Sequence, residues 1–375
     1  MAYTDRVVGG DYNRVADVDG RIVFGKVYSA AFQAAKSFDK TSGVVSNAPL
    51  WEGIFARNGK QFGLRYIFTG IDEDFRARSG FISRPGIVHL GIDHNATWFG
   101  QRGSLLETLT GDILVDGQWQ YSNFMHRGDA QDKKLHFGGN AGLRGGWNVG
   151  LGFYLETFGF DRGLYSAYQI LAPTGDTLPF VGRPRITNHD YVLSVETPQW
   201  RAFSGNVLYV GGHDENFFEW AQARIDILQL GMSVRPSDRA RIDASLAYQA
   251  YWRRTDNSLV GRTMIPRVKL EYQITPSIFM RVVGEYFRSE RDDLRDEDRT
   301  NYPLLIEGEL ATAIRDRSLR GDYLFSYKPT PGTVLFLGYG SEADGEPDPL
   351  QRFNWQPLKR ATDYFFVKYS YLFRM

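Results

Sequence analysis

His89, Asp93 and His94 place two imidazoles and a carboxylate within six positions, a set that could hold a metal if the three side chains converged. In an extended chain alternate side chains point to opposite faces, so His89 and Asp93 lie together while His94 is sent away. Hydrogen bonding is expected of them, not coordination. His126, His136, His189 and His213 are scattered and belong near strand ends or loops. The run Arg291–Arg299 has eight charged residues in nine, and its carboxylates are of the type that calcium selects. Arginines are interleaved with them and no glycine stands where an EF-hand turn needs one, so the expectation is a solvated loop that pairs with itself. Gly138, Gly139, Gly142, Gly145 and Gly146 precede no Gly-Lys-Ser/Thr and no helix, which removes the phosphate-cradle reading and leaves relief of crowding between strands. No Gly-x-Ser-x-Gly elbow occurs. No catalytic, cofactor-binding or metal-ligating residue is assigned.

The elements that would position any such residues are strands. From Arg267 to Ile274, Val268, Leu270, Tyr272 and Ile274 share one face, and Arg267, Lys269, Glu271 and Gln273 share the other. The same alternation runs through Arg241–Trp252, Ile278–Phe287, Leu319–Lys328 and, less cleanly, Trp147–Glu156, with no long helical stripe anywhere. The chain has 375 residues, Lys+Arg and Asp+Glu are both 44, and cysteine is absent. Zero formal net charge supplies no field for nucleic acid, and the lack of cysteine excludes disulfides and thiolate chemistry. No stretch of eighteen apolar residues is present, which excludes a membrane helix but not a membrane barrel, whose strands alternate in polarity. The opening Met1–Arg6 has no basic region followed by an apolar core, so export would imply a leader already removed or a longer precursor.

Short turns and longer excursions alternate along the chain, as in an up-and-down barrel with short periplasmic turns and long outer loops. The expected fold is all-β, a transmembrane antiparallel barrel over 1–375. About eighteen strands are read, beginning with 3–17, 20–36, 49–57 and 60–70 and including 103–115 and 118–127; sixteen is the alternative. Long outer loops are expected near 158–186, 290–316 and 343–359. The phase of the alternation turns Arg241, Asp243, Lys269, Glu271, Arg281, Glu285, Arg320 and Asp322 toward a lumen, where neighbouring opposite charges form cross-strand ladders. The segments Ser37–Pro49 and Asp72–Pro85 fall on the periplasmic side in this count. Phe75, Arg76, Phe81 and Arg84 are the candidates there for contact with a partner, while Phe75, Phe81 and Ile82 favour packing over free exposure.

The run Phe75–Arg84, the earlier Gly9–Val15 and the ending Phe366–Arg374 resemble the DUF5916 family of bacterial outer-membrane proteins, over essentially the whole chain. That resemblance implies a barrel normally preceded by a signal peptide and a domain like the family 9 carbohydrate-binding modules, neither of which is in this sequence. It implies no catalytic residues, and at most a link to glycans. Tyr371 and Phe373 near the C-terminus resemble the signal read by the barrel-insertion machinery.

The function expected is that of an outer-membrane channel or transport-associated barrel for a polar solute or passenger. The alternative is a non-conducting scaffold of a cell-envelope complex. The surroundings would be outer-membrane lipid and lipopolysaccharide, with a periplasmic or outer-membrane protein as possible partner and no nucleic acid or cofactor.

Overall fold

Alternating polarity produces strands almost everywhere. The structure, a computed structural model, describes residues 1–82, 84–101, 103–345 and 358–372, so Ser83, Phe373, Arg374 and most of the expected 343–359 loop lie outside the described residues. The chain divides into two compact units, one formed by 1–141, 152–161 and 184–189 and the other by the remainder.

In the first unit β1 (Ala2–Val8), β2 (Asp11–Phe24), β3 (Tyr28–Thr41), β4 (Val44–Asn58), β5 (Phe62–Ile71), β6 (Ile87–Phe99) and β7 (Leu106–Gln120) form a meander, each antiparallel to the next. A single helical turn, α1 (Tyr121–Met125), ends it. The Ser42–Gly43 turn between β3 and β4 has φ of 51° and 85°, the left-handed pair that a two-residue hairpin requires. β8 (Asp132–Leu143) and β9 (Trp147–Phe158) follow in the chain, then the short β10 (Tyr168–Leu171) and β11 (Thr177–Pro179), which belong to the second unit, then β12 (Ile186–Glu196).

The second unit carries β13 (Phe203–Asn216), β14 (Ala221–Ser237), β15 (Ala240–Arg253), β16 (Leu259–Thr275) and β17 (Ile278–Arg291). The short β18 (Leu304–Ile306) and β19 (Glu309–Leu310) come next, and β20 (Ile314–Thr330), β21 (Thr333–Asp344) and β22 (Lys359–Ser370) complete it. Here β13 through β17, β20, β21 and β22 are paired antiparallel in that order. Among the described residues eighteen strands are of this long type, and β10, β11, β18 and β19 make a separate four-stranded sheet. No helix of the described residues is long and apolar enough to cross a membrane.

The all-β, up-and-down architecture is the one read from the sequence, and among the described residues the long strands number eighteen by two cancelling errors. Segment 3–36 contains three strands, not two, because the chain turns at both Gly9–Gly10 and Gly25–Val27. Segments 103–115 and 118–127 are one strand followed by α1. The first error reverses an assignment. The 72–86 loop follows the fifth strand, so it shares an end with turns 9–10 and 42–43 and lies opposite the start of β1. With five strands before it where four were expected, the loop holding Phe75, Arg76, Phe81 and Arg84 falls at the opposite end of the meander from the one counted in the sequence.

Burial runs opposite to that of a soluble sheet. Val268, Leu270, Tyr272 and Ile274 are 43, 45, 49 and 37% exposed, while the Lys269 and Glu271 side chains between them are 29 and 24% exposed. Leu319, Tyr323 and Tyr327 on β20 and Met280 on β17 are exposed in the same way. In the first unit one face carries a run of rings from strand to strand: Phe24 on Tyr28 at 5.5 Å, Tyr28 on Phe55 at 6.1 Å, and Phe55 on Tyr66 at 6.1 Å. An arginine in place of Val268 would put a charge on this apolar face. Val268→Arg is expected to lose about 2–4 kcal/mol of folding free energy in phospholipid vesicles, measured by urea titration, where a water-facing site would change by less than about 0.5 kcal/mol.

Candidate functional site

The polar face of β15, β16, β17 and β20 is a charged wall built by register. Asp243 stands opposite Lys269 and Arg241 opposite Glu271. Glu271 stands opposite Arg281, and Arg267 opposite Glu285. Glu285 in turn faces Arg320. Residues directly opposite in an antiparallel pair share a face, so the eight residues Arg241, Asp243, Lys269, Glu271, Arg281, Glu285, Arg320 and Asp322 are brought onto one surface. Lys269 Nζ lies 2.8 Å from Asp243 and 3.3 Å from Glu271. Arg241 reaches Asp243 at 2.9 Å, Arg267 reaches Glu285 at 3.6 Å, and Arg320 reaches Asp322 at 3.2 Å. Tyr364 extends the network, accepting from Arg320 at 3.2 Å and donating to Asp322. It lies across Gly340, where a Cβ would stand 2.1 Å from its ring. Alternating signs hold one another, and the wall presents fixed dipoles with little net field.

The first unit has a smaller polar set. His89 Nε2 lies 2.6 Å from Asp116, and Glu156 meets both His136 at 2.6 Å and Lys134 at 3.5 Å. His94 is on the opposite face, 2.8 Å from the Tyr66 hydroxyl, so His89, Asp93 and His94 do not converge. Gly138 leaves room for a carboxylate: a Cβ there would be 2.2 Å from Asp112, which is the crowding role expected of these glycines.

Loop 72–86 is folded onto the polar face of β2, β3 and β4. Phe75, 2% exposed, is buried with Ala48 and Leu50, and Val15, Ala35, Ile71, Ala77 and Ile82 pack around them. The Arg78 guanidinium is 3.0 Å from Asp39 and also donates to Thr41. Asn13 donates to Asp39 and to the Arg76 carbonyl, both at 3.0 Å, and accepts from the Arg78 N–H at 2.9 Å. Phe75 is thereby committed to the protein's own core. Arg76 and Arg84 are exposed, and Phe81 is 87% exposed.

The expected long loops of 158–186 and 290–316 are structured together in their parts within the second unit. β10 pairs with β18, Ile170 opposite Leu304, and β11 and β19 flank them. Ile170, Leu294, Leu304 and Ala311 are buried, while Tyr165 and Tyr168 pack on Trp220 at 5.3 and 5.9 Å. Arg253, 2% exposed, anchors this assembly to the strand ends. Its guanidinium donates to both oxygens of Glu219, to Ser258, to the Leu259 and Asp293 carbonyls and to Asp292. Asp256 accepts from the Ser258 N–H and pairs with Arg295 at 2.9 Å. Hydrogen bonds from Ser258, then the Arg295 charge, hold its carboxyl below the usual carboxylate range. Burial pushes the Asp298 carboxyl up, against the pull of Arg183 at 2.9 Å.

The 291–299 run is thus not a solvated, self-paired loop: Leu294, Asp296 and Glu297 are buried, its charges find partners at 183, 253 and 256 as well as within itself, and the Arg295 backbone N–H donates to Glu219. Sequence reasoning missed Glu219 and Arg253. The available signal was Glu219 beside Trp220 in the turn between β13 and β14 and Arg253 closing β15 directly after the Arg241–Trp252 alternation.

No protein-family model and no curated protein matches the chain. Among solved structures it is similar to the siderophore receptor PirA from Pseudomonas aeruginosa, at 8% identity and TM-score 0.47, over 92% of this chain and 65% of that one. It is also similar to the FrpB iron transporter from Neisseria meningitidis, F3-3 variant, at 13% identity and TM-score 0.44, over 89% of this chain and 60% of that one. A third is OmpT, an outer membrane protein of Vibrio cholerae, at 9% identity and TM-score 0.36, over 89% of this chain and 98% of that one. The chain spans less than two thirds of the PirA and FrpB structures, and the match to outer-membrane and transport proteins is a distant one.

Breaking one side of a buried ion pair leaves the other charge uncompensated. Arg253→Ala is expected to cost about 3–5 kcal/mol locally and to open 162–183 and 292–313 to protease. The joint replacement Arg253→Met with Glu219→Leu should restore much of the protection, as read by limited proteolysis of the folded protein.

Proposed function

We propose that this chain is an outer-membrane β-barrel whose charged wall lines a watery interior through which a polar solute or passenger is handled. The observation that carries this reading is the inverted burial in the middle of β16, where Val268, Leu270 and Tyr272 are more exposed than Lys269 and Glu271 between them. An exposed apolar row is stable against hydrocarbon, and a self-neutralised charged row is stable against enclosed water. The aromatic run from Phe24 to Tyr66, exposed at its two ends, is of the kind that anchors such proteins at the lipid interface. Outer-membrane lipid and lipopolysaccharide are then the surroundings, and residues 1–375 form one barrel. The DUF5916 resemblance fits this reading and would add a link to glycans.

Loop 72–86 supplies the restriction in this account, because it occupies the polar face of β2–β4 and is tied there by Arg78. The folded loops of the second unit favour a second reading, a closed barrel serving as a scaffold. Single-channel recording in planar bilayers separates them. Transport predicts discrete conductance that rises when Arg78→Ala frees the loop from Asp39. Silence from both the parent chain and this variant, inserted in comparable amounts, would abandon transport in favour of the scaffold.

A further inference from the structure

At the short-turn end of the second unit a cavity of about 770 Å³ is lined by Arg201, Arg235, Arg239 and Arg241 against two carboxylates, Asp238 and Glu271. Both carboxylates are already engaged. Asp238 holds Arg201 at 2.9 Å, and Glu271 holds Lys269 at 3.3 Å. Arg241 is likewise taken, by Asp243 at 2.9 Å. The guanidinium groups of Arg235 and Arg239 have no ion pair and no hydrogen-bond partner among the described residues. Along the charged wall Lys269, Arg267 and Arg320 each have a carboxylate within 4 Å. Within the wall Arg281 shares the open state of Arg235 and Arg239, standing opposite Glu271 with no ion pair among the described residues, whereas at the cavity two such arginines share one turn.

We infer that the cavity is a binding site for a small solute bearing a phosphate monoester. Two open guanidinium forks present planar pairs of donors that match phosphate oxygens. A phosphate monoester carries about −1.5 to −2 charges at neutral pH, which balances two arginines; a single carboxylate or the diester of a phospholipid carries one. Arg235 and Arg239 flank Ser237 on one tight turn, so both forks are held by the same backbone, and the Ser237 hydroxyl accepts the Arg239 N–H at 3.3 Å. The cavity volume falls within the range of about 300–1,000 Å³ usual for small-molecule sites, which leaves room for an organic portion beside the phosphate.

The test is calorimetric titration of the folded chain with glycerol 3-phosphate in phosphate-free buffer, first in nanodiscs of phosphatidylcholine and then in nanodiscs containing phosphatidylglycerol. The expected result is saturable binding that glycerol alone does not show and that is the same in both membranes. It should weaken at least tenfold in Arg235→Gln/Arg239→Gln and partly persist in Arg235→Lys/Arg239→Lys, which keeps charge but loses the fork. Equal binding by the parent and the double glutamine variant would overturn the site, as would no binding by the parent. Binding abolished by phosphatidylglycerol would overturn the soluble source and assign the arginines to lipid headgroups. None of these readouts involves conduction, so failure here and failure of the transport reading are separate results.

Discussion

Each long strand has to satisfy two solvents at once, and the rest of the structure depends on that. Backbone donors and acceptors are consumed between neighbouring strands, leaving side chains alone to meet the surroundings on either face. On β16 the apolar row is exposed, and the charged row is drawn into ion pairs with β15 and β17. A soluble sheet would reverse that order. The inversion is sustained by register: a one-residue slip of β16 would carry Lys269 and Glu271 onto the apolar side.

The same constraint explains why the loops are folded back on the protein. A polar wall offers hydrogen-bonding groups to any segment that approaches it, and loop 72–86 uses Asn13, Ser37 and Asp39 on β2 and β3. Its apolar residue Phe75 then finds cover against Ala48 and Leu50. In the second unit a buried arginine performs a comparable service for β10 and β18, because its donors hold segments 219, 258, 292 and 293 at one point. Both devices are polar anchors with an apolar cluster beside them, and both restrict what can approach the strand ends.

The sequence was legible where polarity alternated strictly. From Arg241 to Phe287 the faces, the hairpins and the members of the charged wall followed from period two alone. It was misread where turns fell inside runs that still alternated. Gly9–Gly10 and Gly25–Val27 interrupt segments rich in Val, Tyr and Phe, and neither contains the Pro or Asn that punctuates later turns. A missed turn shifts every following connection to the other end of a meander, and loop 72–86 is one of the connections so shifted. The anchors at Arg78 and Arg253 were illegible for a different reason. Asp39 and Arg78 are 39 positions apart, and Glu219 and Arg253 are 34 apart, so composition reveals the charges and only tertiary structure reveals the pairs.

The central claim is that successive residues of one strand see hydrocarbon and water in alternation. Nitroxide labels placed singly at positions 267 to 274 in the membrane-inserted protein report this through collision with oxygen, which concentrates in lipid, and with a nickel chelate, which stays in water. The account predicts oxygen accessibility at 268, 270, 272 and 274 and nickel accessibility at 267, 269, 271 and 273. Oxygen contact without alternation, or shielding of the even positions from both reagents as in a packed protein core, would contradict it.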